Sequence, residues 1–242
     1  MTTARHCLVT GANRGLGLEF VRQLLAAGDR VIATCRHPGR ANALNTLTGE
    51  HPGRLHVLPL DLAEPRSHAE LARELPLVLG DDGRLDLLVN NAGVLHSGER
   101  FGHIEPAQLH DSLRVNAAGP FLLTQALAPL LADGGAGRGG AVVVNLSSRL
   151  GSIAGVDGFN TPTYAMSKAA LNMATVLLAQ ALADRGITVL AVSPGWVRTD
   201  MGGTDAPLEA PVSVAGLLEQ ARQATPADSG RFIDYRGEAI DW

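Results

Sequence analysis

Short apolar runs alternate with longer amphipathic stretches along the whole chain. Runs typical of buried strands occupy residues 6–10, 31–35, 55–60, 85–89, 141–146, 187–192 and 231–233. Between them, apolar positions recur with helical spacing, which predicts helices over residues 18–27, 38–50, 64–79, 104–131, 162–182 and 213–223. Glycine clusters predict a turn at residues 81–83 and a surface loop at residues 134–140. The alternation predicts an α/β fold in which residues 1–242 form one domain, a doubly wound parallel sheet with helices on both faces.

Composition and charge narrow the class of protein. The 242 residues are 45% apolar and carry a net charge of −4, so a large core is possible and nothing favours a nucleic-acid or membrane partner. No apolar run reaches transmembrane length, and residues 1–6 lead into a strand without a signal-peptide layout. Cys7 and Cys35 lack CxxC spacing, and His96 and His103 lack neighbouring cysteines. We therefore expect buried thiols, no metal site and a cytoplasmic protein.

The stretch from Thr161 to Asn172 carries the strongest candidate chemistry. Pro162 is typical of a first helical turn, and Tyr164 and Lys168 follow it four residues apart, on one face of the predicted helix. An ammonium beside a phenol would lower the tyrosine pKa from about 10 toward neutrality, so that Tyr164 could donate or accept a proton at physiological pH. The spacing alone also fits a solvated surface pair.

Two hydroxyl groups follow the strand that precedes this helix. Ser147 and Ser148 come directly after the apolar run at residues 141–146, at the carboxyl end of a predicted buried strand. A hydroxyl at this place could hold a substrate carbonyl oxygen while the phenol protonates it. The pattern itself does not choose between the two serines.

A glycine-rich loop joins the first strand to the first helix. Its glycines would let the backbone approach a pyrophosphate, and the helix N-terminus would present free N–H groups to it. The GxxxGxG spacing alone also fits an ordinary turn, but the order strand, loop, helix favours a dinucleotide site. The residues of this loop expected to bind the cofactor are Gly11, Asn13, Arg14, Gly15, Leu16 and Gly17.

The end of the second strand indicates which dinucleotide binds. Folds that prefer NAD usually place an acidic residue there to bind the ribose 2′-hydroxyl, whereas this chain has Arg36. Together with Arg14, it would suit the additional 2′-phosphate of NADP, which arginine can bind in fork geometry. We therefore expect NADP(H) to be preferred over NAD(H); the alternative is that Arg36 is a solvated charge at the strand end.

Together these motifs resemble the short-chain dehydrogenase/reductase family. The resemblance covers nearly the whole chain and follows the family's order and approximate spacing through residues 10–17, 61–62, 90–93, 116, 147–148, 164–168 and 193–195. Two further stretches, residues 148–153 and 230–242, are similar to carbonyl reductases of the C-factor and sniffer type. The resemblance implies a Rossmann-type fold and an NADP(H)-dependent reductase that transfers hydride between the nicotinamide and an aldehyde, a ketone or a secondary alcohol.

The resemblance also implies roles for individual residues. Ser148, three positions before Gly151, would orient the carbonyl oxygen that Tyr164 protonates. Lys168 would lower the tyrosine pKa and, like Tyr164, contact the cofactor. Asn116, at a predicted helix break, would hold a relay water, although without the resemblance it is only a polar helix residue. Further cofactor contacts are implied at Asp61, Leu62, Asn91, Ala92, Gly93, Pro194, Gly195, Val197 and Thr199.

Other features concern the substrate side and the assembly. The step from Ser148 to Tyr164 is sixteen residues, longer than is common in the family, so residues 155–160 should loop out beside the substrate pocket. Residues 196–213, which lack clear periodicity over 200–212, are expected to form a short substrate lid. The helix over residues 162–182 is apolar all round, which favours a subunit interface in a homodimer or homotetramer.

Several alternatives stay open from the sequence. Within the family, the substrate could be a 3-oxoacyl thioester or a steroid. Outside catalysis, the chain could be a nucleotide-binding signalling protein with little turnover. Asp61 could serve simply as a helix N-cap. The sequence identifies neither the natural substrate nor the direction of the reaction in cells.

Overall fold

A single seven-stranded sheet forms the centre of the molecule. The computed structural model describes residues 4–80, 83–135 and 139–242. Neighbouring strands all pair in parallel, in the order β3-β2-β1-β4-β5-β6-β7. The predicted doubly wound parallel sheet is therefore confirmed, with the direction of winding reversing between β1 and β4. The strands are β1 His6–Thr10, β2 Arg30–Cys35, β3 Leu55–Pro59, β4 Leu87–Asn90, β5 Val142–Leu146, β6 Thr188–Ser193 and β7 Phe232–Asp234.

Helices connect the strands, and most begin at a residue that the sequence marks as a helix start. They are α1 Gly15–Ala26, α2 Asn42–Glu50, α3 Pro65–Leu79, α4 Pro106–Leu113, α5 Gly119–Leu127, α6 Pro162–Ala181 and α7 Ala210–Gln223. All except α1 and α2 carry a proline in the first turn, where its missing N–H costs nothing. The helical stretch predicted over residues 104–131, with a break near Gly119 and Pro120, is divided into α4 and α5 by a π-helical turn at Arg114–Ala118.

Three helices begin three or more residues away from the predicted start. Helix α2 begins at Asn42 and not at residue 38, because Pro38–Arg40 form a separate short helical turn. Helix α1 begins at Gly15 and not at residue 18, so the last glycines of the loop form its first turn. Helix α7 begins at Ala210 and not at residue 213, because Pro211 suits the first turn of a helix. The first turn of α7 therefore lies within the segment predicted to be the lid. The turn predicted at residues 81–83 and the loop predicted at 134–140 lie partly outside the described residues, as does the start of the chain at residues 1–3.

Alternate strand residues feed two apolar cores, one on each face of the sheet. Cys7 and Val9 of β1 point into the layer formed by α1, α2 and α7, whereas Leu8 between them points into the layer formed by α3, α5 and α6. Cys7 and Cys35 are both buried thiols, as predicted. Among the described helices, none is long and apolar enough to span a membrane.

Candidate active site

A cavity of about 480 Å³ opens at the carboxyl edge of the sheet, where the winding direction reverses. The loops after β1 to β6 all contribute to its walls. It is bordered by every residue predicted to bind the cofactor except Gly195 and Val197. Val197 is buried and paired with Leu208 in an isolated bridge, and Gly195 packs close to Leu208 and Tyr235. These two residues support the cavity wall from behind.

The glycine loop has no room for larger side chains, and it is hydrogen-bonded to the turn after β4. A Cβ on Gly17 would overlap the carbonyl oxygen of Gly11 and lie 2.6 Å from Nδ2 of Asn91. Gly11 and Gly15 adopt the left-handed φ values of 62° and 55° that favour glycine. Asn91 Nδ2 donates to the backbone oxygen of Thr10 at 2.7 Å, which ties the two loops together. The first turn of α1, whose N–H groups lack helical partners, therefore borders an open cradle.

Positive side chains gather at the end of the cavity next to β2. Arg36 borders it as predicted, and so does Arg40, which the sequence analysis missed. Arg40 lies on the short helical turn Pro38–Arg40. Its position shortly after Arg36, across a turn that begins with proline, could have identified it in the sequence as a second cation at this place. Arg14 also borders the cavity, and its Nη1 donates to Asp200 Oδ2 at 2.6 Å, between two exposed side chains. Its role at the 2′-phosphate stays a prediction. Arg36 and Arg40 both follow β2, and we call these two residues the arginine pair.

Tyr164 and Lys168 meet on the inner face of α6. Their exposed fractions are only 9% and 4%, so the alternative of a solvated surface pair is wrong. The Lys168 Nζ lies 5.3 Å from the centre of the Tyr164 ring and donates to the backbone oxygen of Leu146 at 2.7 Å. Leu146 is the last residue of β5, so the edge of the sheet holds the Lys168 ammonium next to the phenol ring.

Burial controls the charge of both groups. It raises the pKa of Tyr164 to about 12, and a hydrogen bond with the Ser148 side chain acts in the opposite direction. Burial also lowers the pKa of Lys168 to about 8. The predicted lowering of the tyrosine pKa by its lysine neighbour is therefore wrong for this structure, because desolvation of the phenolate dominates. In this environment the protonated phenol is the favoured form of Tyr164 at neutral pH.

The two serines after β5 have different partners. Ser147 is buried and donates to Oδ1 of Asn172 at 2.6 Å, which occupies its hydroxyl. Ser148 is half-buried, hydrogen-bonds Tyr164 and accepts from the backbone N–H of Leu150 at 3.2 Å. Ser147 borders the cavity and Ser148 does not, whereas Ser148 is the serine whose hydrogen bond acts on the pKa of Tyr164. The choice of Ser148 therefore stays a prediction.

Asn116 lies fully buried in the π-helical turn. Its Oδ1 accepts from the backbone N–H of Val94 at 2.8 Å, and its Nδ2 donates to the backbone oxygen of Val94 at 2.8 Å and to Ser167 Oγ at 2.9 Å. A Cβ on Gly93 would come within 3.1 Å of the same Oδ1. The side chain thus joins the loop after β4 to α6 and holds both beside Lys168.

Asp61 borders the cavity but does not cap a helix. Its Oδ1 accepts from the backbone N–H of Ala63 at 3.0 Å in a local turn, and the N-cap of α3 is Glu64. The N-cap interpretation is therefore wrong, and Asp61 forms part of the cavity wall. His96 is bonded to Asp111 at 3.2 Å, and within the described ranges no three His, Cys, Asp or Glu side chains cluster as metal ligands.

Exposed apolar side chains lie on the segment that follows Ser148. Residues 149–160 expose Leu150, Ile153, Val156 and Phe159, and the Phe101 ring meets Phe159 edge-on at 5.7 Å. These residues include the predicted outward loop at 155–160. Across the opening, Met201 and Asp200 of the segment 196–213 border the cavity.

The segment 196–213 is anchored at both ends. Val197 pairs with Leu208, and Ser213 Oγ donates to the backbone oxygen of Pro194 at 2.7 Å. Within it, Trp196 Nε1 donates to the backbone oxygen of Gly202 at 2.7 Å. Any movement of this segment would therefore be confined to its tip, and its role as a lid stays a prediction.

Comparison with known proteins agrees with this geometry. A family model described as short chain dehydrogenase matches residues 5–209. The C-signal of Myxococcus xanthus is 41% identical over 160 residues, which cover 66% of this chain and 94% of that protein. The carbonyl reductase Sniffer of D. melanogaster superposes with a TM-score of 0.92 at 34% identity, covering 99% of this chain and 100% of that one. An NADPH-bound carbonyl reductase from chicken fatty liver gives a TM-score of 0.91 at 34% identity and covers both chains completely at 100%.

Proposed function

Because the chain belongs to the short-chain dehydrogenase family, we propose that it is an NADP(H)-dependent carbonyl reductase that acts on aldehydes or ketones. The observation that carries the proposal is that one cavity joins a glycine cradle, a pair of arginines and the buried Tyr164–Lys168 pair. A protonated Tyr164, which burial favours, would be the form needed for the reduction step.

The residues present fit a dinucleotide. The cradle at Gly17, which a side chain would fill, and the N-terminus of α1 suit the pyrophosphate. Arg36 and Arg40 would bind the 2′-phosphate that distinguishes NADP from NAD. The chicken carbonyl reductase similar to this chain binds NADPH, which supports the same preference here. When bound, the nicotinamide would supply the hydride to the carbonyl carbon.

The chain's own residues would handle the carbonyl oxygen. Ser148, adjacent to Tyr164, would donate a hydrogen bond that orients this oxygen, and Tyr164 would then give it the phenolic proton. Loss of this proton leaves a buried phenolate. The Lys168 ammonium, 5.3 Å from the ring centre, would stabilise that charge and also hold the cofactor ribose. In this proposal, lysine acts after the proton has moved rather than by lowering the tyrosine pKa beforehand.

The backbone carbonyl of Asn116 would bind a relay water. Its side chain is already bonded to Val94 and Ser167, so a water would have to bind its backbone carbonyl. The π-helical turn supports this proposal, because such turns leave helical backbone groups available and recur at functional sites.

A signalling role is the second candidate, and the similarity to the C-signal favours it. In that case, the protein would bind the nucleotide without appreciable turnover. A 3-oxoacyl or steroid substrate would instead change only the substrate preference. Turnover measurements on different carbonyl compounds separate these possibilities.

The direct test is NADPH oxidation with a panel of quinones, aldehydes, ketones, 3-oxoacyl thioesters and steroids. We expect turnover of at least one aldehyde or ketone, with NADPH preferred over NADH. An Arg36→Asp variant should lower this preference about tenfold by losing one phosphate contact. Tight NADPH binding without turnover of any compound would favour the signalling role, and failure to bind either nucleotide would contradict both.

A further inference from the structure

The end of the chain turns back from the sheet edge toward the active site. We call residues 235–242 the C-terminal segment. Ile240 donates from its backbone N–H to the oxygen of Phe232 at 2.9 Å, and Ala239 forms an antiparallel bridge with Ile233. The Trp242 ring stacks on the Phe232 ring at a centroid distance of 5.4 Å. The segment is therefore packed along β7, with its last residues pointing along the sheet edge.

Its last two residues bond the segment that follows Ser148. Ser152 is buried, and its Oγ donates to the backbone oxygen of Asp241 at 2.6 Å. The backbone N–H of Ala154 donates to the oxygen of Trp242 at 2.9 Å. Residues 148–153 and 230–242, which are the two stretches similar in sequence to one group of carbonyl reductases, are thus in contact with each other.

An ion pair adds a contact next to the serine itself. The Arg149 guanidinium donates to Asp234 Oδ2 at 3.0 Å, although 59% of the arginine side chain is exposed. Burial would raise the pKa of Asp234, but hydrogen bonds from the backbone of Arg236 and Glu238 and from Arg149 outweigh it and keep the carboxyl ionised. A buried carboxylate that accepts this many hydrogen bonds is held in one position. The exposed Arg149 side chain is therefore paired with a partner, Asp234, that does not move.

Helix α6 holds the same turn from its other end. Asn172 accepts from Ser147 Oγ at 2.6 Å and donates from Nδ2 to the backbone oxygen of Gly151 at 3.1 Å. A Cβ on Gly151 would lie 2.8 Å from the backbone carbon of Lys168, so the turn packs directly on the helix. Ser148 therefore stands between contacts to α6 and contacts to the end of the chain.

We propose that Arg149 is a positioning residue, and that β7, through the Asp234–Arg149 pair, and the C-terminal segment, through Ser152, together hold the Ser148 hydroxyl beside Tyr164. This inference rests on the proposed function, in which Ser148 orients the carbonyl oxygen. The C-terminal segment itself would touch neither substrate nor cofactor. Its effect on the reaction would come from fixing the turn Arg149–Gly151, which begins directly after the serine.

Loosening this turn should slow the reaction without weakening the binding of the cofactor. A displacement of the hydroxyl by about 1 Å can slow a reaction up to about a hundredfold. The glycine cradle and the arginine pair lie on other loops, so NADPH binding should not change. The loss should thus appear in kcat at saturating NADPH and not in the affinity for the cofactor.

The experiment compares Arg149→Ala, Arg149→Lys and Arg236→Ala. Arg236 also binds Asp234, at 3.4 Å, and is 54% exposed, but it belongs to the C-terminal segment and does not tie down the Ser148 turn. We expect kcat to fall about tenfold in Arg149→Ala and to return to within about threefold of wild type in Arg149→Lys. Arg236→Ala should stay within about twofold of wild type.

Hydrogen exchange tests the same proposal without turnover. The amides of Gly151 and Ser152, which close the turn by bonds of 2.8 and 3.0 Å to Ser148 and Arg149, should exchange faster in Arg149→Ala than in Arg236→Ala. Equal exchange and equal kcat in these two variants would overturn the proposal. If the wild-type protein reduces no carbonyl compound, the proposed function fails, and the exchange rates alone decide whether Arg149 positions the turn.

Discussion

At the scale of single residues, burial favours the uncharged form of both Tyr164 and Lys168. The tyrosine pKa of about 12 keeps the phenol protonated, and the lysine pKa of about 8 still leaves most of the ammonium charged at neutral pH. The resting pair thus carries one positive charge. Proton donation from the phenol would create the opposite charge beside it, so the interaction between the two groups becomes strongest after the proton has left.

Lys168 should make stability depend on alkaline pH. Burial lowers its pKa from 10.5 to about 8, so below pH 8 both folded and unfolded chains hold the proton and the full cost of burial is present. Between these values the folded protein releases the proton first. The free energy of unfolding should therefore rise with pH over this window, by up to about 3 kcal/mol relative to a Lys168→Met control. Urea unfolding at several pH values measures it; a constant difference between the two proteins would contradict the prediction.

The neighbouring serines provide a matched pair of variants. Ser148→Ala should lower kcat about a hundredfold, because it removes the hydroxyl beside Tyr164. Ser147→Ala should leave kcat within about threefold and lower the free energy of unfolding by about 1 kcal/mol, because it removes only the bond to Asn172. Steady-state kinetics and urea unfolding of both variants distinguish the two roles, and a larger loss of kcat in Ser147→Ala would reverse the assignment.

At the scale of elements, the glycine loop and α1 act as one unit. Gly17→Ala would push a methyl group into the Gly11 carbonyl, so we expect a loss of about 2 kcal/mol in stability and at least about tenfold weaker NADPH binding. Gly39→Ala is the control, since nothing lies within 4 Å of a Cβ there, and it should change stability by less than about 0.5 kcal/mol. Urea unfolding and calorimetric titration with NADPH test both; equal effects would show that the cradle is not closed to side chains.

Elements were predictable where the signal is local. Apolar runs place all seven strands, and Pro162 marks the first turn of α6, because these patterns act over a few residues. The start of α1 at Gly15 was missed, since glycine has low helix propensity. The split at Asn116 was expected, but its form, a π-helical turn, depends on bonds to Val94 and Ser167 that no local pattern encodes.

At the scale of the whole molecule, the contacts that could not be predicted join residues far apart in the chain. Arg14 and Asp200 are 186 residues apart in the chain, so spacing could not show that they bond. The Tyr164 pKa depends on burial by the complete fold, which outweighs the lysine one helical turn away. The membership of the site was predictable because the carboxyl ends of parallel strands share one edge, whereas its electrostatics required the packed structure.

The predicted assembly can be tested by a substitution on the outer face of α6. Met166, Met173 and Leu177 are more than half exposed at spacings of seven and four residues, which places them on one face. We expect a homodimer or homotetramer in sedimentation velocity, dissociated by Met173→Arg. Leu77→Arg is the control, because Leu77 is 86% exposed on a different helix, α3. A wild-type monomer at micromolar concentration would contradict the prediction.

The most direct test of the account replaces the phenol alone. Tyr164→Phe keeps the buried ring next to Lys168 and removes only the proton that would reach the carbonyl oxygen. At saturating NADPH, the rate of carbonyl reduction should fall by about a hundredfold or more. The dissociation constant for NADPH, measured by calorimetry on the same sample, should stay within about threefold of wild type. Undiminished reduction by this variant would contradict the assignment of Tyr164 as the proton donor.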